Sequence, residues 1–499
     1  MDNYTKKAHK NLMKIILHKM DNLMLKVTLC FCVLAMAGCM VGPDYHLQQT
    51  SVPSAYTGTI AATKGSTTHA DLVHWWTTFE DPNLTSLVER ATKSNLDLKQ
   101  AESQIRQARA SRGVVSTALW PTVNATGSFI RGQTPGSSTI PPKTRDLWQT
   151  GLDAAWEMDV FGGTRRGVEA AESDIQAAVE NRRDVLVTLT GEVALNYIEL
   201  RGFQQEIVIA QNNLKVQQQT AELTRNRFQG GLVGALDVAN ADAQVATTAS
   251  QIPQMEAAAQ QAIYNLSVLL GQEPASLLEE LSPTSFIPTT PPEVPVGIPS
   301  ELLRRRPDIR RAEAQIHSAT ARIGVATADL FPKFNLVGSM GFESVNSDTL
   351  IKPVNRFWSF GPSVDWQIFD AGRIRANIDV QNAIKEQTVL IYQKTVLTAL
   401  QDVENALITY SKEHERRKAL VNAVAANRKA VDLATQLYTQ GQTDFLNVLD
   451  AQRSLFVSED SLVQSTRNLS TDLVALYKAL GGGWENEEAK TDENHYGYP

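Results

Sequence analysis

Histidine, serine and cysteine are the residue types here that could carry out chemistry, and their spacing argues against catalysis. The eight histidines show no metal-ligand spacing. The sequence also contains no nucleophile elbow of the Gly-x-Ser-x-Gly kind and no phosphate-binding loop. An enzyme is therefore not expected, and no metal or dissociable cofactor is predicted. The remaining candidate for chemistry is the thiol of Cys39.

A secretion signal precedes this thiol. Six lysines lie before or at the edge of an apolar run from Val27 to Ala37, which is too short to span a membrane. Small residues directly before Cys39 are typical of a lipobox, where a cysteine receives a diacylglycerol and an N-acyl chain. We predict a signal peptide over 1–38 and a lipid on Cys39 that inserts into a membrane leaflet. The alternative is a chance cysteine after an ordinary signal peptide.

The mature chain is acidic and has no disulfide. Cys30 and Cys32 leave with the signal peptide, so only one thiol remains. Removal of the signal peptide leaves 41 Lys and Arg against 52 Asp and Glu, a net charge of −11. An acidic surface repels phosphates, so nucleic acid is not expected as a partner. No apolar run long enough for a spanning helix follows the first forty residues, so any crossing must use strands.

The sequence repeats the same motifs in the same order at an offset of about 210 residues, which chance would rarely give. The matching segments are Leu119-Trp120-Pro121 with Leu330-Phe331-Pro332, Phe161–Arg165 with Phe369–Arg373, Phe228–Val238 with Tyr438–Val448, and Leu270-Gly271 with Leu480-Gly481. We predict a lipidated segment over 39–82, structural repeats over 83–281 and 301–481, and a disordered tail over 482–499. A proline-rich linker over 282–300 separates the repeats, because its proline density forbids helix.

Each repeat is predicted to contain a helix, two strands, a very long helix and a returning helix. The first helices are expected over 83–118 and 300–329, from apolar residues at three- and four-residue spacings. The long helices are expected from about Arg165 to Gln229 and from Arg373 to Gln440, where no proline occurs. Some 65 residues at 1.5 Å each give a length of about 100 Å. Helices of this length must bury their apolar stripes on one another.

Alternation of apolar and polar residues predicts four strands. The strand segments are Val123–Phe129, Trp148–Val160, Phe334–Phe342 and Trp358–Ile368. About ten alternating residues with aromatics near the ends are typical of transmembrane barrel strands. The alternative is a half-buried strand of a soluble sandwich. It is disfavoured because the sequence offers no second sheet to cover these faces.

Four strands cannot close a barrel, which indicates an oligomer. Open sheet edges in hydrocarbon leave backbone groups unpaired, at a cost of several kcal/mol each. Two chains would give eight strands and a filled interior, whereas three would give twelve strands with room for a channel. A homotrimer is therefore predicted.

The sequence resembles the TolC-like outer-membrane efflux proteins, in particular their lipoprotein branch of NodT-type factors. The resemblance covers nearly the whole mature chain and is carried by motifs in a fixed order. These are Gly42-Pro43-Asp44-Tyr45, Trp75-Trp76 with Phe79 and Asp81-Pro82, Asn95–Leu98, Leu302–Ile309 and Leu449–Arg453.

The resemblance implies an α+β membrane protein in the outer membrane. Three chains would share a twelve-stranded barrel, continued by a long periplasmic α-helical barrel. It further implies docking to a periplasmic membrane-fusion adaptor and an inner-membrane RND-type pump, which together pass drugs or other small molecules to the exterior.

By position, the resemblance also implies two functional sites. The adaptor-docking residues are Gly230, Gly231, Leu232, Val233, Gly234, Gly441, Gln442 and Thr443. The periplasmic gate is Leu446 with Asp450, four residues apart and so on one helix face. A ring of apolar residues excludes water and a ring of acids favours cations, which are recognised ways to gate and filter a pore. The alternatives are plain turns without a partner and a solvated helix residue at Asp450.

Two other functions stay open. A structural coiled-coil lipoprotein of the periplasm explains the lipobox and the helices but not the apolar strand faces. An exit duct for type I protein secretion or metal-ion export would differ from a drug-efflux channel only in the pump that it serves. The basic run Arg304–Arg306 is expected to begin a helix and to pair with Asp308 and Glu313.

Overall fold

The computed structural model of the protein describes residues 40–47, 52–57, 70–136, 141–290 and 299–484. The predicted signal peptide, Cys39 and the predicted tail from Glu485 onward lie outside the described residues. The helices are α1 (Ala70–Val73), α2 (Pro82–Ser94), α3 (Leu96–Ser116), α4 (Gly163–Gln229), α5 (Ala235–Leu269), α6 (Leu278–Leu281), α7 (Pro299–Arg305), α8 (Pro307–Ala328), α9 (Arg373–Thr439) and α10 (Phe445–Ala479). The strands are β1 (Thr122–Thr134), β2 (Lys143–Met158), β3 (Lys333–Ser344) and β4 (Arg356–Asp365).

The chain divides into two compact units. Unit 1 comprises the described parts of 1–48, 106–176 and 313–390, and unit 2 those of 49–105, 177–312 and 391–499. Unit 1 contains the four strands of the described residues, and unit 2 contains a large apolar core. Each unit draws segments from both predicted repeats, so neither repeat is a compact unit by itself. The repeat boundaries stay a prediction from the sequence.

In the described part of the chain, four strands form one antiparallel sheet in the order β1-β2-β3-β4. All four overlap the segments that the alternation predicted, but β1 and β2 each extend five residues further into their hairpin than predicted. The last one stops at Asp365, three residues before the predicted end. Trp366 follows it, and its indole Nε1 donates a hydrogen bond to the Leu330 carbonyl at 3.1 Å.

A glycine pair lets the two central strands approach. Gly151 of β2 lies opposite Gly341 of β3. A Cβ on Gly341 would lie 2.3 Å from the Thr150 carbonyl oxygen and 2.7 Å from the Gly151 Cα. Contacts this short do not occur in folded proteins, so a side chain here would push β2 and β3 apart.

The sheet exposes much of its apolar surface. The exposed large apolar residues of the strands are Val123, Phe129, Ile130, Leu152, Val337, Met340, Trp358, Phe360 and Val364. An apolar surface of this extent indicates contact with lipid or with another protein surface. Among the described residues, no helix combines the length and apolar character needed to cross a membrane.

The long helices have the predicted extents, and an aspartate caps the start of each. Both α4 and α9 contain 67 residues, and the returning helices α5 and α10 contain 35 each. Before α4, the Asp159 carboxylate accepts hydrogen bonds from the backbone N–H groups of Thr164 and Arg165 at 3.1 and 2.9 Å. Before α9, Asp370 accepts from Ile374 N–H at 2.7 Å, and backbone hydrogen bonds lower the pKa of Asp370. These carboxylates satisfy N–H groups that have no partner within the helix.

The first helix of each repeat is interrupted, which the sequence analysis did not predict. Asn95 separates α2 from α3: its side-chain oxygen accepts from Leu98 N–H at 2.9 Å, and its Nδ2 donates to the Leu269 carbonyl at 2.9 Å. Pro307 begins α8, where a proline fits because the first helical N–H needs no partner. Residue 306 therefore stays outside both helices.

The arginine run does not begin a helix as expected. Arg304 and Arg305 end α7, and Arg306 follows it. The predicted pairing with Asp308 is confirmed, because the Arg306 guanidinium donates to its carboxylate at 2.7 Å. Glu313 instead accepts a hydrogen bond from the hydroxyl of Tyr45 at 3.0 Å.

Aromatic residues anchor the core of unit 2. Trp75 is 1% exposed and stacks on Tyr477, with ring centroids 5.3 Å apart. Asp81 caps α2 and accepts a hydrogen bond from the Tyr197 hydroxyl at 2.8 Å. Trp484 is also buried, next to the Arg183 guanidinium. The predicted disordered tail from residue 482 therefore begins with three packed residues.

Candidate functional site

Two helix hairpins carry the predicted functional residues, and both turn in the same way. At the first tip, Leu232 N–H donates to the Arg227 carbonyl and Gly231 N–H to the Phe228 carbonyl, both at 2.9 Å. Gly231 has a φ of +69° and the equivalent Gly441 a φ of +74°. This is the Schellman motif, whose left-handed residue is nearly always glycine. The tip glycines therefore have a structural role whether or not a partner binds.

The predicted docking residues are mostly exposed. Gly230, Gly231, Leu232, Gly234, Gly441 and Gln442 are exposed, and Val233 and Thr443 are half-buried. Leu232 is 68% exposed, and Leu236 beside it is 71% exposed. Sequence reasoning missed Leu236, although an apolar residue so close to a turn glycine is a usable signal. The first tip thus presents an apolar surface. Its role in docking stays a prediction.

A small apolar cluster supports both tips. Its buried members are Ala221, Ala241, Tyr438, Phe445, Val448 and Leu449. The rings of Tyr438 and Phe445 lie 5.8 Å apart. Because these residues come from both hairpins, the cluster packs the two tips against each other.

Arg227 links the two tips and was missed in the sequence. Its Nη1 donates to the carbonyls of Tyr438 and Thr439 at 2.8 and 3.3 Å, and its guanidinium lies 4.7 Å from the centre of the Tyr438 ring. The last carbonyls of a helix have no intrahelical partner and attract a cation. The equivalent residue of the second repeat is Leu437. This difference between the repeats could have drawn attention to Arg227 from the sequence alone.

The predicted gate residues lie on the exposed face of α10. Leu446 is 63% exposed, and Asp450 is exposed one turn later. The opposite face is buried, where Gln452 donates to the Thr220 hydroxyl at 2.9 Å. Arg453 lies beside Asp450 and donates to the Gln244 side chain at 2.6 Å. The exposed face is available to other chains, and the gating role stays a prediction.

Further along α10, an ion pair joins it to α4. The Arg467 guanidinium lies 3.1 Å from the Glu206 carboxylate, and both side chains are largely buried. Burial raises the pKa of Glu206 to about 7, with Arg467 opposing and Asp460 adding to the shift. Gly202 makes room, because a Cβ there would lie 2.5 Å from the Arg467 Cδ.

Comparison with known proteins identifies the family. The family model described as outer membrane efflux protein matches residues 87–272 and 298–482. The chain belongs to the outer membrane efflux protein family. This confirms the family predicted from the sequence.

Relatives match along nearly the whole length of this family member. Nodulation protein T of Rhizobium leguminosarum bv. trifolii is 32% identical over 459 residues, which cover 92% of this chain and 97% of that protein. The toluene efflux pump outer membrane protein TtgF of Pseudomonas putida is 32% identical over 463 residues, which cover 91% and 95%. The solved structure of the outer-membrane channel OprN has a TM-score of 0.83 and 38% identity, covering 90% of this chain and 100% of that one. The predicted α+β fold of outer-membrane efflux channels is thus confirmed.

Proposed function

We propose that this outer-membrane protein is the channel subunit of a tripartite efflux system, which passes drugs or other small molecules from the periplasm to the exterior. Family membership supports this role, as do relatives that bear the names of efflux pump components. The observation that carries the proposal is a four-stranded sheet with exposed apolar residues on every strand.

Three chains would complete the channel. Within the described residues, β1 and β4 each pair on one side only, so the sheet has two free edges. Edges in hydrocarbon must be paired, and twelve strands from three chains leave room for a pore. Light scattering in detergent should give three times the mass of one chain. A particle of one chain would contradict the shared barrel.

The exposed face of α10 suits a gate. Three copies of Leu446 would form an apolar ring, and three copies of Asp450 an acidic ring one turn away. An apolar constriction excludes water, and an acidic ring favours cations. The closed mouth would therefore resist ion flow until the hairpins move.

The hairpin tips suit an adaptor. Leu232 and Leu236 are exposed apolar residues beside a rigid glycine turn. Apolar side chains on a preformed surface are favourable contacts for another protein. The partners would be a periplasmic membrane-fusion adaptor and, through it, an RND-type pump. The lipid on Cys39 would add a second anchor in the membrane.

Dye accumulation tests the function in cells. A strain that lacks the gene should accumulate a fluorescent efflux substrate, and expression of the chain should restore the low level. Restoration should require the adaptor and the pump. Equal accumulation with and without the chain would contradict the efflux role.

A further inference from the structure

The segment Met40–Tyr45, here called the strap, is bound closely to unit 1. Val41 N–H donates to the Phe161 carbonyl at 3.1 Å. Gly42 has a φ of +89°, and a Cβ there would lie 2.4 Å from the Cα of Gly324 on α8. The two backbones therefore touch, with no space for a side chain between them.

A buried arginine also holds the strap. The Arg166 side chain is 4% exposed, and its Nη2 lies 2.6 Å from the Asp44 carboxylate. Its Nε donates to the Val41 carbonyl at 3.2 Å, and its Nη1 pairs with Glu169 at 2.8 Å. The hydrogen bond from Arg166 holds the pKa of Asp44 below its usual value. A guanidinium so buried needs all these partners, because an unpaired buried charge is costly.

An aromatic stack closes the network. The ring of Tyr45 stacks on His317 with centroids 4.5 Å apart, and its hydroxyl donates to Glu313 at 3.0 Å. The His317 Nε2 lies 3.0 Å from the same Glu169 that pairs with Arg166. The strap is thus held at its backbone, at a carboxylate and at a ring.

We propose that the strap acts as a clasp: it fixes the depth of the acylated N-terminus in the membrane relative to the strands. This inference rests on the proposed lipidation of Cys39. The strap docks beside Phe161 and Gly162, close to the end of β2 at Met158. Only one peptide unit, about 3.8 Å between Cα atoms, separates Met40 from the acylated residue.

The alternative is a loose tether, and the difference in reach is large. Six undocked residues could extend about 20 Å. That is a large part of the hydrocarbon thickness of about 30 Å. A docked strap removes this freedom, so the lipid and the sheet must enter the membrane at matched depths. Arg166 is accordingly a positioning residue for the modified terminus.

Hydrogen exchange tests the clasp itself. The Val41 amide should be protected in the full-length protein, and equally so in a non-acylated form made with a cleavable signal peptide and Cys39→Ser. Gly42→Ala should speed its exchange by at least about tenfold, because the new Cβ cannot fit against α8. Gly113→Ala is the matched control, since a Cβ there meets no atom within 4 Å. Unprotected Val41 in the wild type would overturn the proposal.

The positioning role needs a second measurement. Gly42→Ala should lower the yield of membrane-inserted trimer in the acylated protein and leave it unchanged in the non-acylated form. An equal loss in both forms, or no loss in the acylated one, would show that the strap does not act through the lipid. Asp44→Asn provides a second variant without added heavy atoms: it removes the charge that pairs with Arg166 from a side chain that is 75% exposed. Hydrogen exchange is measured without any transport. The clasp proposal can therefore fail while the efflux proposal stands, and the efflux proposal can fail while the clasp proposal stands.

Discussion

The close approach of β2 and β3 at Gly341 can be tested by substitution. Gly341→Ala would place a Cβ 2.3 Å from the Thr150 carbonyl oxygen, on the backbone of the neighbouring strand. Backbone cannot rotate away as a flexible side chain can, so β2 and β3 must separate locally. Overpacking of this kind costs about 1–3 kcal/mol per chain.

Gly338→Ala on the same strand is the matched control. A Cβ there would lie 3.5 Å from the Phe360 ring, which is an ordinary contact. Replacing glycine by alanine at an unstrained position restricts the unfolded chain and stabilises the fold by about 0.4–1 kcal/mol. The two substitutions should therefore act in opposite directions. Thermal melting of purified trimer at one protein concentration measures both, and equal shifts would refute the reasoning.

Three further predictions concern the helices. Arg227→Ala should destabilise the fold by about 1–3 kcal/mol, because it leaves helix-end carbonyls without their charged donor. The control, Arg225→Ala, breaks an exposed ion pair and should cost at most about 1 kcal/mol. Urea unfolding measures both. Leu446→Ser and Asp450→Ala should each raise single-channel conductance by loosening the closed mouth, and unchanged conductance in both would count against the gate. Glu206 has a folded pKa of about 7, above its ordinary 4.5, so its stabilising contribution is complete below pH 4.5 and is lost as the pH rises through 7. In Glu206→Gln, the melting temperature should therefore change less with pH between 4.5 and 7 than in the wild type. An equal change in both proteins would contradict the raised pKa of Glu206.

The repeating patterns of the sequence predicted most of the fold. Alternation of period two located the four strands, because apolar residues recur on one face of each. The glycine-bearing turns before and after each long run located α4 and α9 to within two residues, and no proline interrupts either run. Patterns of this kind act locally and therefore can be read from the sequence.

Contacts between distant residues could not be predicted in the same way. Asn95, at the break between α2 and α3, donates to the Leu269 carbonyl, and Trp366, just after β4, donates to the Leu330 carbonyl. The bond from Arg227 to Tyr438 likewise joins residues far apart in the chain. Periodicity contains no information on such pairs.

The candidate site was predicted only in part. The sequence and the family resemblance located the turns and the exposed positions of Leu446 and Asp450. They did not reveal Leu236 or the strap contacts of Arg166, because an arginine near a helix start has no distinctive pattern until its partners are known.

Planar-bilayer conductance tests the central claim most directly. Purified protein added to a lipid bilayer should produce discrete current steps of a single size, as expected for one water-filled pore per trimer. Correctly folded, detergent-soluble protein that gives no steps, while Leu446→Ser also gives none, would contradict a channel shared by three chains.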